Sequence, residues 1–341
     1  MPVGISVVIP CHNAARRLPQ TLAHLAAQQV PDGLEWEVVL VDNASTDETS
    51  QSALACWPAP APVPLRVVRE PRLGLSYAHL RGFAEAQCEV ITFVEDDNWV
   101  CPEWLQLVAE VMGQHPEVGA CGGYNEAVCE VEPPGWFVPY QAHYATGPQA
   151  AATGDVTWTR GYLWGAGLTV RRAAWRSLID REFRPLLVDR QGKRLNTGGD
   201  AEICFALRLA GWRLWYEPRL RLRHFLLAHR LKWPYLRRLN RGVGASQVGL
   251  DPYRLAVQGP PESSAGRLKR AWQAEARETL KKILRRRNLL LMFLSPMEGD
   301  GEALYLERQI GRLIELLRRR EAYDRGIQAV WGASWRRLPR S

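Results

Sequence analysis

The 341-residue chain lacks the features that mark several large classes of protein. Its seven cysteines are an odd number and are scattered without a C-x-x-C pair, which argues against a disulfide framework or a structural zinc site and favours a reducing compartment. No apolar run approaches the ~20 residues that span a bilayer. The chain opens directly on strand-like residues 5–9, without the flanks of a signal peptide. We therefore expect a cytoplasmic protein, soluble or attached peripherally to the inner face of a membrane.

Two common nucleotide-binding loops are also missing. The chain contains no G-x-x-x-x-G-K-[ST] motif, and no G-x-G-x-x-G motif follows its first predicted strand, which disfavours a P-loop enzyme and a dinucleotide-binding domain. A sugar nucleotidyltransferase is an alternative enzyme class, since it would use a Rossmann-like sheet, carboxylates and Mg²⁺. It would need a glycine-rich, basic phosphate loop near the N-terminus, and residues 9–14 contain no glycine.

The positive charge lies in the C-terminal third. The net charge is −5 over residues 1–229 and +13 over residues 230–341, which indicates an anionic surface as partner. An alternative to an enzyme is therefore a basic module that binds nucleic acid or membrane without catalysis. Because this region has no recognisable nucleic-acid-binding motif, we expect no nucleic acid and keep an anionic membrane surface as a candidate partner.

Strand-like and helix-like segments alternate over the first hundred residues. Such alternation predicts an α/β fold with a mostly parallel, Rossmann-like central sheet flanked by helices. A capping-box pattern predicts Ser45 as the cap of the second helix, with Glu48 three residues on. The predicted strands are 5–9, 36–41, 65–68 and 90–94, and the predicted helices are 14–29, 47–56 and 75–87.

Polar clusters follow three of these strands. They are residues 11–13, 42–45 and 95–98, and the last is Glu-Asp-Asp-Asn. Ligands of open sheets bind at the carboxyl ends of the strands, so we expect the three clusters to converge. Three successive carboxylates repel one another unless a cation lies among them, and Mg²⁺ or Mn²⁺ shared with a diphosphate meets that need. The alternative for the tetrad is a solvated acidic turn.

Further elements are predicted downstream. We expect a strand at 168–170, and a helix that opens at 198–202, runs to 209 and ends at a C′ glycine, Gly211. Two basic, amphipathic helices follow, and they either pack on the main domain as surface helices or lie on a membrane. Their apolar positions are Leu268, Trp272, Ala276, Leu280 and Ile283 in the first helix, and Leu306, Ile310, Leu313 and Leu317 in the second.

Six segments in order resemble the motifs of the inverting family 2 glycosyltransferases, which have the GT-A fold. Residues 7–13 are similar to V-V-I-P-x-[YH]-N, and residues 41–47 to V-D-[DN]-x-S-x-D. Residues 74–82 resemble the glycine-led start of a helix, and the tetrad stands where the family carries a D-x-D-like metal motif. The match covers residues 5–230 and includes 199–202, which resemble E-D-x-E, and 223–224, which resemble a late histidine motif.

The resemblance implies roles for individual residues. Asp97 would ligate Mg²⁺ or Mn²⁺ that bridges the diphosphate, Asp96 would contact the ribose or the metal, and His224 would complete the metal or phosphate environment. Asp200 would be the general base, with Glu202 orienting the acceptor. The alternatives are a helix N-terminal acid for Asp200 and a buried structural histidine for His224. The implied nucleotide-binding residues are Pro10, His12, Asn13, Asp42, Ser45, Gly74 and Asp96.

The predicted activity is metal-dependent, inverting transfer of a sugar from a UDP-, dTDP- or GDP-linked donor to an acceptor hydroxyl. The acceptor would be a glycan, a lipid-linked glycan or a natural product. Residues 1–100 would form the nucleotide-sugar-binding half of the GT-A domain and residues 101–230 the acceptor-binding, catalytic half. Residues 231–341 would form a basic helical extension. Several aromatic side chains would stack on sugar rings or fill the core: Trp136, Tyr140, Trp158, Tyr162 and Trp164.

Overall fold

The computed structural model describes residues 3–187, 197–258, 271–285 and 297–337. The strands are β1 (Ile5–Cys11), β2 (Trp36–Asn43), β3 (Leu65–Glu70), β4 (Val90–Phe93), β5 (Asn98–Val100), β6 (Val118–Cys129), β7 (Gly154–Asp155), β8 (Thr169–Arg171) and β9 (Arg213–Leu226). The helices are α1 (Leu18–Ala26), α2 (Thr49–Cys56), α3 (Leu75–Glu85), α4 (Trp104–Gln114), α5 (Phe137–Tyr140), α6 (Arg172–Ile179), α7 (Gly199–Leu209), α8 (Trp233–Gln258), α9 (Ala271–Ile283), α10 (Gly301–Arg319) and α11 (Glu321–Trp331).

The described residues form one nine-stranded sheet in the order β3-β2-β1-β4-β8-β6-β9-β5, with β7 paired to β9. Strands β1 to β4 are parallel to one another, as predicted. Strand β8 is antiparallel to both β4 and β6, and β5 is antiparallel to β9. Since β4 pairs with β8, the two predicted halves of the domain share a single sheet.

The four N-terminal strands confirm the sequence interpretation because each contains a buried apolar run. All seven residues of β1 are buried, as expected of a central parallel strand covered on both faces. Ile5, Val7 and Ile9 pack with α1 and α4, whereas Val8 packs with α3 and α6 on the opposite face. Burial of each such side chain stabilises the fold by about 1.5–3 kcal/mol. The sheet therefore lies between two apolar layers.

The predicted cap of the second helix is wrong. Helix α2 begins at Thr49; its N-cap residue is Glu48, which makes no side-chain capping hydrogen bond, and the Thr49 N–H donates to Asp47 Oδ1 at 3.2 Å. The Ser45 N–H instead donates to Asp42 Oδ1 at 3.0 Å, and Ser45 Oγ accepts from the Asn13 N–H. Ser45 therefore joins the loops that follow β1 and β2. The helix at 199–209 and its C′ glycine are confirmed, with Gly211 at a φ of +91°.

The C-terminal helices pack on the sheet domain and on one another. Their predicted apolar stripes are only partly right: in α10 Leu306 is buried but Leu317 is 47% exposed, and in α9 Ile283 is buried but Leu280 is 43% exposed. Leu268 lies outside the described residues. Helix α10 crosses α8 at a glycine pair, where Gly244 and Gly311 are both buried. Within the described part of the chain, no helix is both long and apolar enough to cross a membrane.

Candidate active site

The loops after β1, β2, β3 and β4 surround a cavity of about 260 Å³, called here the strand-end cavity. It is lined by Pro10, Cys11, His12, Arg17, Asn43, Leu73, Leu75, Ala78, Glu95 and Asp96. The His12 Nδ1 atom lies 2.8 Å from the carbonyl oxygen of Asn43, which ties the first two polar clusters together. The predicted convergence of the polar strand ends is therefore present in the structure.

The predicted nucleotide-binding residues divide into two groups. Pro10, His12 and Asp96 line the strand-end cavity. Asn13 and Ser45 bond to each other across two loops and lie outside its lining. Asp42 also lies outside: its carboxylate accepts from the Ser45 N–H and from the Ser50 hydroxyl. Burial raises the pKa of Asp42, but these hydrogen bonds outweigh it and the net pKa is lowered.

Gly74 is held at the mouth of this cavity by a side chain that the sequence analysis did not single out. The Gly74 N–H donates to Asn43 Oδ1 at 2.8 Å, and Asn43 Nδ2 donates to the carbonyls of Glu70 and Arg72. Gly74 has a φ of +146°, a conformation that residues with a Cβ rarely adopt. Asn43 therefore fixes the start of α3, where Leu73 and Leu75 line the cavity.

The acidic tetrad directs its carboxylates to different neighbours. Asp96 Oδ2 lies 2.6 Å from the Arg17 guanidinium, and burial together with the Asp97 charge raises the pKa of Asp96 against the effect of Arg17. Asp97 turns toward β9 and accepts from Asn98 Nδ2 at 3.0 Å. Among the described residues, no group of three His, Cys, Asp or Glu side chains is placed to hold a metal ion. The structure therefore does not bring Asp96, Asp97 and His224 together as one ligand set.

Asp97 and His224 do meet, because strand pairing places them side by side. His224 is opposite Asn98 in the β5–β9 pair, and the Phe225 N–H donates to the carbonyl of Asp97. His224 Nε2 lies 3.6 Å from Asp97 Oδ2. Buried and exposed residues alternate along this part of β9, so His224 is buried while Arg223 is exposed.

This pair is suited to a divalent cation. Both ring nitrogens of His224 are buried without a hydrogen-bond partner among the described residues, and a buried imidazole usually has one. A carboxylate oxygen and an imidazole nitrogen are common metal ligands, and a nucleotide diphosphate could complete the shell. Arg230 competes for the same oxygen, since its NH1 lies 3.3 Å from Asp97 Oδ2. The residues present fit Mg²⁺ or Mn²⁺ if Arg230 yields its contact.

A second cavity, of about 370 Å³, adjoins the first through Leu75 and Glu95, which line both. We call it the helix-walled cavity, since α7, α8 and α10 contribute much of its lining. His224, Arg230 and Asp200 line it together. Glu95, to which the sequence analysis assigned no role of its own, lies where the two cavities meet. Its signal in the sequence was its spacing of two residues from Asp97.

Asp200 lies in the first turn of α7, and the backbone fixes its orientation. The Gly165 N–H donates to Asp200 Oδ2 at 2.7 Å, and the Ala201 N–H donates to Oδ1 at 2.8 Å. The helix starts after Gly198, whose φ of +117° favours glycine. Asp200 is thereby a carboxylate held in the wall of the cavity that also contains His224.

Glu202 is not brought into either cavity. Its side chain is completely buried and accepts from the N–H groups of Leu186 and Leu187 and from the Tyr253 hydroxyl. Burial raises the pKa of Glu202 to about 7, while these three donors act to lower it. Glu202 ties α7 to α8 and to residues 186–187, and it does not line the cavity that contains Asp200.

The predicted aromatic residues also divide. Tyr162 and Trp164 line the helix-walled cavity, whereas Trp158 is 60% exposed outside it. Trp136 and Tyr140 contact Trp233 at the start of α8 and belong to a separate apolar cluster. Two of the five aromatics are therefore available to a sugar or an acceptor.

Residues 6–177, about half of the chain, match the family described as Glycosyl transferase family 2. The chain belongs to this family. The family 2 assignment agrees with the predicted motifs and disfavours the nucleotidyltransferase alternative. The α/β fold of the chain is the GT-A fold.

The curated relatives of this chain match over short segments. An uncharacterized glycosyltransferase of Nostoc sp. is 33% identical over 115 residues, which are 34% of this chain and 34% of that protein. Dolichol-phosphate mannosyltransferase of Pyrococcus furiosus is 28% identical over 121 residues, 35% of this chain and 33% of that protein. The alignments thus span about a third of these relatives.

Solved structures match over much more of the chain. A mannosyltransferase from Pyrobaculum calidifontis, in complex with GDP-Man and Mn²⁺, is 15% identical with a TM-score of 0.54, over 92% of this chain and 86% of that one. GalNAc-T7 with UDP, GalNAc and Mn²⁺ is 18% identical with a TM-score of 0.51, over 78% of this chain and 53% of that one. At these identities the likeness concerns the fold.

Proposed function

We propose that this chain is a glycosyltransferase, that it is metal-dependent and inverting, and that it uses a nucleotide-diphosphate sugar as donor. The observation that carries the proposal is that Asp200 lines the same cavity as His224, which contacts Asp97. The strand-end cavity would hold the nucleotide and the helix-walled cavity the sugar and the acceptor. The Mn²⁺ and nucleotide ligands of the two structural neighbours support this arrangement.

The structure offers residues for both the leaving diphosphate and the attacking acceptor. The bond from the anomeric carbon to the diphosphate breaks, and its electron pair leaves with the diphosphate. The acceptor oxygen forms the new bond, and its proton passes to Asp200. Arg230 would contact the departing diphosphate. Asp97 and His224 would hold Mg²⁺ or Mn²⁺, which supplies Lewis-acid neutralisation of the charge that develops on the leaving group.

Direct displacement is favoured over a double displacement. Asp200 is anchored by two backbone N–H groups and lies outside the lining of the strand-end cavity, so it is suited to take a proton from an acceptor. Attack by that acceptor on the face opposite the diphosphate inverts the anomeric centre. The anomeric configuration of the product, read by NMR coupling constants, tests this part of the proposal.

Nucleotide binding is the first test. We expect UDP, dTDP or GDP to raise the melting temperature with Mn²⁺ or Mg²⁺ present, and Asp97→Ala to lose most of that shift. Asp32, exposed in the loop before β2, offers a matched control, and Asp32→Ala should bind as the wild type does. If none of the nucleotides stabilises the wild type, or if Asp97→Ala binds the metal–nucleotide pair equally well, the proposal is wrong.

Transfer is the second test. Slow transfer of the donor sugar to water releases nucleoside diphosphate and can be measured without a known acceptor. We expect Asp200→Asn to bind nucleotide normally but to lower this release by about 10²- to 10⁴-fold, the usual contribution of a general base. Loss of nucleotide binding in Asp200→Asn would instead make this residue structural, as a helix N-terminal acid would be.

A further inference from the structure

Two arginines lie in the helical wall of the cavity that contains Asp200. Arg254 comes from α8 and Arg308 from α10, and both line the helix-walled cavity. They belong to the basic C-terminal third, whose charge the sequence analysis connected with a membrane. We call Arg254 and Arg308 the wall arginines.

In the described part of the chain, Arg308 differs from the other arginines of α10 in having no acidic partner. Arg312, one turn further on, lies 2.7 Å from both Asp251 and Glu275. Arg318 and Arg319 both pair with Glu315. Among the described residues, Arg308 forms no ion pair: its NH2 donates to Asn240 Oδ1 at 3.0 Å, and its Nε is buried without a partner.

Arg254 is only weakly neutralised. Its NH1 lies 3.8 Å from Asp251 Oδ1, and Arg312 lies closer to the same carboxylate, 2.7 Å from Oδ2. The guanidinium carbon of Arg254 lies 5.9 Å from the centre of the Phe205 ring. Arg254, whose side chain is 39% exposed, therefore has one long ion-pair contact among the described residues.

The wall arginines lie close to the surroundings of Asp200. Phe205, which Arg254 contacts, is on α7 a little more than one turn after Asp200. Tyr162 lines the same cavity as Arg308, and it precedes the loop whose Gly165 N–H donates to the Asp200 carboxylate. The strand-end cavity includes neither arginine in its lining. This position favours a role toward the acceptor.

A cation in such a place needs an anion. Burying a guanidinium without a countercharge is costly, and burial lowers the pKa of Arg308. His143, which also lines this cavity, adds no further positive charge, because burial and Arg308 lower its pKa to about 4 and leave it neutral at pH 7. The planar fork of arginine matches the paired oxygens of a phosphate or a carboxylate.

We propose, on the basis of the proposed function, that the acceptor carries an anionic group, a phosphate or a carboxylate, beside its reacting hydroxyl. This group binds Arg308 and Arg254 and so places the hydroxyl at Asp200. The basic charge of α8 and α10 then selects the acceptor from inside the cavity.

Methyl phosphate and acetate serve as probes for the two anions. Each is titrated into the full-length protein preloaded with Mg²⁺ and the nucleoside diphosphate that stabilises it most, so that the diphosphate position is already filled. Calorimetry then gives the dissociation constant of the probe. We expect at least one probe to bind the wild type, and Arg308→Gln to weaken it about tenfold or more, the usual effect of losing a charge-assisted bond.

Further variants separate this role from a structural one. Arg308→Lys keeps the charge and should recover part of the affinity. Arg325→Gln removes an exposed arginine of α11 and should bind the probe as the wild type does. Nucleotide affinity and melting temperature in Arg308→Gln should stay close to those of the wild type.

Three results would overturn the proposal. The first is that neither anion binds the nucleotide-loaded wild type. The second is that Arg308→Gln binds the probes as tightly as the wild type does. The third is that Arg308→Gln weakens the nucleotide itself, which would assign Arg308 to the donor diphosphate. Failure of the wild type to bind any nucleotide counts against the proposed function instead, and the same titration without nucleotide still tests Arg308.

Discussion

The crossing of α8 and α10 should not tolerate a single added methyl group. A Cβ built on Gly244 would lie 1.9 Å from the carbonyl oxygen of Arg308, and one built on Gly311 would lie 1.9 Å from the carbonyl oxygen of Arg241. Real Cβ contacts are essentially never shorter than 3.0 Å. The obstacle is backbone, which no rotamer change can move, so the two helices would have to separate by about 1 Å.

The magnitude follows from two opposing effects. Replacing glycine by alanine inside a helix stabilises it by about 1 kcal/mol. Overpacking a tight core costs about 1–3 kcal/mol, and a clash between backbones belongs at the upper end. We therefore expect Gly244→Ala and Gly311→Ala each to lower the free energy of unfolding by about 2 kcal/mol. Urea titrations followed by circular dichroism, with the m-value unchanged, would measure it.

Gly113 provides the matched control. It lies near the end of α4, and a Cβ there would meet nothing within 4 Å. Gly113→Ala should therefore leave stability unchanged or raise it by up to about 1 kcal/mol. The two alanines at the crossing should also be less than additive together, because the first already separates the helices for the second. Gly244→Ala as stable as Gly113→Ala, or fully additive losses, would refute the reasoning.

Three further predictions concern Glu202 and Gly74. Glu202→Ala leaves three buried donors without an acceptor and should cost about 3 kcal/mol or more in urea unfolding, with normal stability contradicting the assigned contacts. The pKa of Glu202 is raised to about 7 from an ordinary value of 4.5. The folded state therefore binds this proton more tightly than the unfolded state, and the free energy of unfolding should fall as pH rises from about 5 to 7.5. Glu202→Gln should make this pH dependence weaker, and an unchanged pH dependence would exclude the Glu202 carboxyl as its source. Gly74→Ala, which forces a Cβ into a φ of +146°, should weaken nucleotide binding about tenfold or more in thermal-shift titrations, since such strain costs about 1–3 kcal/mol; unchanged binding would separate this turn from the nucleotide.

The sheet half of the fold could be predicted because its signal is local. A central parallel strand must be apolar on both faces, and β1 shows this within seven residues. The ends of helices are harder to predict. Ser45 matches a capping pattern, but its N–H and hydroxyl bond to Asp42 and Asn13 in neighbouring loops, and α2 begins at Thr49. In α10, a stripe drawn through Leu317 missed the buried face, which is set by the close approach of α8 at Gly311.

The parts of the site that follow strands could be predicted from local patterns, whereas the part that depends on strand register could not. The proximity of Asp97 and His224 was implied by the family resemblance alone, because it depends on the pairing of Asn98 with His224 between β5 and β9, which no local pattern encodes. Glu202 was misread for a related reason. A carboxylate two residues from Asp200 looks like a second functional acid, and its neighbours in the chain give no indication that Tyr253 and the Leu186 backbone satisfy it.

The basic residues of the C-terminal third are of two kinds, which the structure distinguishes: arginines that form ion pairs between helices, and an arginine that lines a cavity. Arg237 and Arg241 both pair with Glu307, which is buried, where α8 packs against α10. Glu307 cancels one of these two positive charges, so the three side chains contribute less to an external field than two unpaired arginines would. Arg308 is chemically the same residue one position from Glu307, yet it faces a cavity. The net charge of residues 230–341 therefore indicates a membrane surface as partner, whereas the pattern of ion pairs supports the proposed binding of an anionic acceptor by Arg308.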